Sequence, residues 1–203
     1  MHGASVGRKD VVRVIAGSAR SIPLATRKGT ATRPTLGRVR ETLFSTLQPQ
    51  IRDAVFLDLF AGSGSVGIEA LSRGAKCAIF VESNTFCVEL IRENLERTGL
   101  KESGEIIRAS CLSALGKLRA RGKQFDIIFS DPPYGKRLNE AVLHWLRENG
   151  DVMNPDGLVI TQGPVGEPTA AAGEPLVLRR QRTVGSTVLS FHALPANDYA
   201  RLS

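Results

Sequence analysis

Asp131-Pro132-Pro133-Tyr134 places a carboxylate, two ring-locked backbones and an aromatic face in four consecutive positions. The chemistry they suit is the handling of an exocyclic amine on a nucleic-acid base. The lone pair of such an amine is delocalised into the ring, so the nitrogen is a poor nucleophile until acceptors hold both hydrogens and favour a pyramidal geometry. The Asp131 carboxylate can take one hydrogen and the Pro132 carbonyl the other. Pro132 and Pro133 restrict the residues before them and remove competing backbone donors, so the acceptors are preorganised. Tyr134 can stack on a base turned out of its helix, an interaction worth about 1–3 kcal/mol. The same four residues also suit a proline-rich turn after a buried strand, with Tyr134 as packing.

A second group lies upstream, in Asp58-Leu59-Phe60-Ala61-Gly62-Ser63-Gly64-Ser65-Val66-Gly67. Gly62 and Gly64 allow a tight turn and close backbone approach to a nucleoside cofactor, and Gly67 lets the following helix pack against a sheet. Phe60, Ala61, Gly62, Ser63 and Gly64 are the expected cofactor contacts. The spacing also satisfies the dinucleotide-binding fingerprint, and Asp58 weighs against that reading. A carboxylate about 4 Å from a pyrophosphate costs on the order of 4 kcal/mol at an effective dielectric near 20. S-adenosylmethionine instead presents an ammonium, which an acidic loop helps to bind. Glu82 can accept hydrogen bonds from both hydroxyls of a ribose, and Ser110 can meet an adenine amine. No metal is expected. Cys77, Cys87 and Cys111 and the histidines His2, His144 and His192 are scattered, without ligand or disulfide spacing.

The elements that must position these groups follow from periodicity. Strand-like runs at 54–59, 76–81, 105–109, 125–130 and 158–161 alternate with helical patterns at 65–73, 84–97, 111–119 and 138–148. Gly74 and Gly99 stop two of the helices. Two late runs, 176–182 and 187–194, form an antiparallel pair. The expected class is α/β: a doubly wound, mostly parallel seven-stranded sheet of Rossmann-like type, with ligands bound beyond the carboxyl ends of its strands. Asp58, Glu82, Ser110 and Asp131 all fall at such ends. Ahead of this unit, Pro34-Thr35 opens a helix ended by Pro49, and runs at 11–15 and 21–26 suit a β-hairpin. The expected division is a basic extension over 1–30 and a catalytic domain over 31–203.

Charge is concentrated at one end. Of the 203 residues, the first 50 carry nine Lys/Arg against Asp10 and Glu41, which accounts for the whole net charge of +7. A polyanionic partner is the economical explanation. Arg13, Arg20, Arg27, Lys28, Arg38 and Arg40 are its expected contacts. No apolar run approaches the roughly 20 residues of a membrane span, and the first 30 residues lack a secretory signal, so a cytoplasmic protein is expected.

Over nearly its whole length the chain resembles the RsmD-type small-subunit rRNA guanine-N2 methyltransferases. The resemblance rests on Arg13-Val14-Ile15-Ala16-Gly17, Arg33-Pro34-Thr35, Arg38-Val39-Arg40-Glu41-Thr42-Leu43-Phe44, the 58–67 loop with Ile68-Glu69-Ala70-Leu71-Ser72-Arg73-Gly74-Ala75, Val81-Glu82 and Asp131–Tyr134. It implies an S-adenosylmethionine-dependent class I methyltransferase that modifies one guanine of 16S rRNA in a partly assembled small subunit; a monomer is expected apart from the resemblance. It also implies that the N-terminal hairpin grips RNA and that Arg33, Thr35 and Arg38 lie near the cofactor or target. Ser110 and Thr161-Gln162 depart from the family pattern. From the residues alone, three readings stay open: an adenine-N6 methyltransferase, a nicotinamide-dependent oxidoreductase and a non-catalytic RNA-binding assembly factor.

Overall fold

The computed structural model describes residues 11–27, 34–133, 137–166 and 175–195. Helix α1 (Pro34–Leu47) precedes a regular alternation: β1 (Val55–Asp58), α2 (Ser65–Ser72), β2 (Cys77–Glu82), α3 (Thr85–Thr98), β3 (Gly104–Arg108), α4 (Cys111–Ala120), β4 (Phe125–Ser130), α5 (Leu138–Glu148) and β5 (Met153–Pro164). A hairpin of β6 (Val177–Val184) and β7 (Thr187–Ala193) closes the chain. The seven strands order as β3-β2-β1-β4-β5-β7-β6, parallel except for β7. The chain leaves β1 toward β2 and β3, then returns to place β4 on the other side of β1. Loops leaving β1 and β4 therefore diverge and open a crevice at their carboxyl ends.

The central strands are apolar on both faces because helices cover both. Phe56, Phe80, Phe129, Ile160 and Phe191 pack beneath α1, α2 and α3, while Leu57, Ile79, Val81, Ile128 and Val159 pack against α4 and α5. Phe44 of α1 stacks on Phe56, with ring centroids 6.4 Å apart, and the Arg73 guanidinium lies over the Phe44 ring at 5.1 Å from its centroid. Gly67 is required by closeness: a Cβ there would meet the Phe80 ring at 2.3 Å, so α2 can lie on β2 only without a side chain at this position. Asn84 caps α3 by accepting from the amides of Phe86 and Cys87, and Gly99 ends that helix at φ +70°.

The expected N-terminal hairpin forms around one antiparallel bridge, Arg13 with Pro23, where Val14 donates to the Ile22 carbonyl at 3.1 Å and Leu24 to the Val12 carbonyl at 2.8 Å, and its ladder goes no further. The reason is competition for backbone donors. Glu69 of α2 accepts from the amides of Ile15 and Ala16 at 2.7 and 3.0 Å, Ser72 Oγ accepts from Ala19, and Asn94 of α3 pairs with Ala25. Groups that a hairpin ladder would pair internally are spent on docking, and Val14, Ala19 and Leu24 are buried in the main core. Residues 11–27 are thus built into the α2–α3 face.

Candidate active site

The crevice begins at β1. Its last residue, Asp58, is 1% exposed; Oδ2 accepts from the Gly67 amide at 3.3 Å, and Oδ1 has no partner among the described residues. Burial is the main reason that its carboxyl is pushed up to about 7, and the nearby carboxylates of Asp131 and Glu82 add to the rise. Beyond Asp58 the chain turns through Gly62 (φ +55°) and Gly64 (φ +79°), conformations that suit residues without a Cβ. The Ala61 amide bonds to the Val81 carbonyl at 3.0 Å and stitches the turn to β2.

Two side chains hold the tip of this loop. Glu82, at the end of β2, accepts from the Gly62 amide at 2.9 Å through Oε2 and from the Asn84 amide at 2.8 Å through Oε1. Each oxygen keeps a lone pair, so Glu82 can brace the loop and still receive hydroxyls. Asn94 donates to the Ser63 carbonyl at 2.9 Å. At the end of β3, exposed Ser110 occupies the N-cap position of α4, and its hydroxyl does not cap the helix.

Strand β4 lies directly beside β1, with Asp58 opposite Phe129, so Asp131 falls two residues beyond that register. In extended chain this parity puts both carboxylates on one face of the sheet. Asp131 is partly exposed, yet burial lifts its carboxyl to about 7. Pro132 is buried and Pro133 exposed. The turn is anchored behind by Ser130, whose hydroxyl donates to Asn139 Oδ1 at 2.8 Å, while Asn139 Nδ2 donates to the Gln162 carbonyl at 2.8 Å. Asn139 therefore ties the first turn of α5 to the ends of β4 and β5, a positioning role that its place in a helical run did not signal.

The structure brings Asp58, Glu82, Asp131 and Pro132 to one edge, with Phe60, Ala61, Gly62, Ser63 and Gly64 between them and Ser110 beyond β2. Lys28, Arg33 and Tyr134 lie outside the described residues, and of Thr35 only its place in the first turn of α1 is described. Arg13, Arg20, Arg27 and Arg38 are exposed. Arg40 corrects the expectation of an RNA contact. It is buried, pairs with Glu69 at 3.8 Å and bonds to the Arg13 carbonyl, and burial lowers its pKa. Its spacing to Phe44 and Leu47, i+4 and i+7, was the available sign that it belongs to the inward stripe.

These acids at successive strand ends, with a glycine turn and an acid-proline-proline turn on adjacent strands, define a Rossmann-like fold of the class I methyltransferase type. A family profile described as conserved hypothetical protein 95 matches residues 12–193, and the chain belongs to that family, the RsmD type. It is 36% identical over 178 residues to ribosomal RNA small subunit methyltransferase D of Haemophilus influenzae, covering 87% of this chain and 91% of that one. It is 35% identical over 176 residues to the protein of the same name from Escherichia coli K12, covering 86% and 85%. Among solved structures, a hypothetical protein of Thermus thermophilus superposes with a TM-score of 0.76 at 31% identity, covering 91% of this chain and 100% of that one.

Proposed function

We propose that the chain transfers a methyl group from S-adenosylmethionine to the exocyclic N2 amine of a guanine in 16S rRNA, within the small ribosomal subunit or its assembly intermediate. The observation that carries this is the juxtaposition of the Asp131-Pro132 acceptors at the end of β4 with the acid-flanked glycine loop at the end of β1. Asp131 and the Pro132 carbonyl hold the two amine hydrogens and leave the nitrogen lone pair free of hydrogen bonds. The bound cofactor supplies an electrophilic methyl group. A carboxyl that titrates at about 7 is a competent acceptor for the proton the amine must lose near neutrality.

The cofactor fits the residues present. Asp58 Oδ1 is a buried acceptor with no partner among the described residues, and the acids that end β1 and β2 attract a cation while repelling the pyrophosphate of a dinucleotide. Glu82 receives the ribose hydroxyls, Ser110 the adenine edge, and Phe60, Ala61, Gly62, Ser63 and Gly64 line the turn. Exposed Arg13, Arg20, Arg27 and Arg38 face the RNA backbone, with Lys28 and Arg33 in the same basic stretch and Thr35 near the target. The two relatives named above are small-subunit rRNA methyltransferases, which supports 16S rRNA as substrate. In this reading the protein acts as a monomer in the cytoplasm.

The test is to incubate the protein with cofactor labelled in its methyl group and with small subunits, naked rRNA or DNA, then digest to nucleosides. Label in N2-methylguanosine is expected. Label confined to N6-methyladenosine overturns the guanine assignment, and calorimetric preference for NADH over S-adenosylmethionine overturns the reaction class.

A further inference from the structure

Asn94 is fully buried on α3 and makes three hydrogen bonds to two segments that are remote in sequence. Oδ1 accepts from the Ala25 amide at 2.7 Å, and Nδ2 donates to the Ala25 carbonyl at 2.9 Å and to the Ser63 carbonyl at 2.9 Å. The side-chain amide thus pairs with Ala25 as a neighbouring strand would, and spends its remaining donor on the glycine loop. One turn further along α3, Arg97 donates to the Pro23 carbonyl at 3.4 Å, so α3 secures the last described stretch before helix α1.

Nothing in packing alone asks for an amide here. Asn94 sits on the inward stripe of α3 with Val88, Ile91 and Leu95, where an apolar residue would be the ordinary occupant. Its use is to satisfy three backbone groups that belong to two different functional segments. On one side is a loop whose tip has two side-chain tethers, Glu82 on Gly62 and Asn94 on Ser63. On the other is the segment that carries exposed Arg20 and Arg27. A ligand that orders the loop holds the Ser63 carbonyl, and with it the Asn94 donor, in place. The Ala25 pair then opens less often, because both of its bonds come from the same side chain.

We propose that Asn94 is a positioning residue that couples the glycine loop to the basic N-terminal segment, so that cofactor and RNA bind with positive linkage through it. This rests on the reading of loop 61–64 as the S-adenosylmethionine site. Linkage is reciprocal: whatever the cofactor does to the order of residues 22–27, RNA held by that segment does to cofactor affinity.

The experiment is amide hydrogen exchange on the full chain with and without saturating S-adenosylhomocysteine, with binding verified by calorimetry. Exchange at the Ala25 amide is expected to slow about tenfold on binding, within the roughly 5–150-fold span of ordinary site-to-site coupling. In N94A that ligand-dependent slowing falls below about twofold, whereas in E69Q, which loosens the separate attachment of residues 15–16, it persists. A merely structural role for Asn94 would raise exchange in N94A equally with and without ligand and would leave the unmutated protein without any ligand effect at Ala25. Ligand binding with no change at Ala25 in the unmutated protein overturns the coupling, and that measurement stands even where N94A fails to fold. Persistence of the full effect in N94A overturns the assignment to Asn94. Failure of S-adenosylhomocysteine to bind at all overturns the cofactor reading instead.

Discussion

The crevice at the carboxyl ends of β1, β2 and β4 and the docked segment 11–27 use acids in opposite ways. In the crevice, Asp58 and Asp131 have no cationic partner among the described residues, and burial holds their carboxyls near 7. Under the docked segment, Glu69 is as buried as Asp58 but saturated: it takes two backbone amides and lies against Arg40 and Arg73. One region stores unsatisfied acceptor capacity for ligands, and the other spends all of it on holding the chain. A residue's type therefore says little about its role until its partners are known, and substitutions in the two regions should separate cleanly into effects on rate and on folding.

The largest effect is expected at Asp131. D131A should lower the single-turnover methyl-transfer rate by roughly 10²–10⁴-fold, because an acceptor that acts on the amine is lost, while cofactor affinity by calorimetry stays within about twofold. An unchanged rate would break the comparison, since Asp131 would then be no more than an acid at a turn.

Glu69→Ala probes the other region. Removing one partner of a buried ion pair costs about 3–5 kcal/mol, because Arg40 is left uncompensated along with the Ile15 and Ala16 amides. For a chain of this size that corresponds to a fall in Tm on the order of 10 °C by calorimetry. Gly17→Ala should act in the same direction, because a Cβ at φ +85° would lie 1.7 Å from the Ser72 carbonyl oxygen. A Tm unchanged in both variants would show that residues 11–27 are not part of the folded core.

The contrast between these acids was only half legible in the sequence. Strands, helices and the acids at strand ends could be read because period 2, period 3.6 and loop position each leave a local trace. Asp58, Glu82 and Asp131 all sit where a strand must stop. Glu69, Asn94 and Asn139 left no such trace: each is a polar residue inside a helix, and what fixes its role is a partner 23 to 69 positions away. Arg40 differs from these, since its spacing to Phe44 and Leu47 marks it as inward, and the hairpin ladder over residues 11–26 stops at one bridge because no local pattern tells the Ile15 amide to prefer a distant carboxylate to its neighbour strand.

A pH series sharpens the contrast without mutation. Because the folded-state carboxyls of Asp58 and Asp131 lie at about 7, above the usual carboxylate value of 3.8, the folded state holds more protons than the unfolded chain between those two values. These groups therefore contribute stability that is fully present below about pH 4 and is lost as pH rises to about 7. Activity has the opposite sign, since it needs the Asp131 carboxylate. The value of kcat/KM should rise about tenfold per unit up to about pH 7 and then level, with the apparent pKa belonging to the interacting pair. A flat profile from pH 5.5 to 8 would show that neither acid titrates in the working range.

The smallest effect is expected from single exposed arginines, and it tests whether the docked segment does more than fold. Deleting the whole segment would remove Val14, Ala19 and Leu24 from the core, so its result would mix binding with unfolding. Arg20→Ala and Arg38→Ala avoid this, because both side chains are exposed. If each neutralises one phosphate, replacing it lowers the slope of log K against log salt by about 0.7–0.9, with little change in Tm. Arg40→Ala should do the reverse: it leaves Glu69 short of a cation and lowers Tm, and the salt slope moves only as far as the segment unfolds. A slope that falls with Arg20→Ala and Arg38→Ala marks segment 11–27 and α1 as an RNA-facing surface held on a structural base. A slope that none of the three changes would place the RNA contacts elsewhere on the molecule.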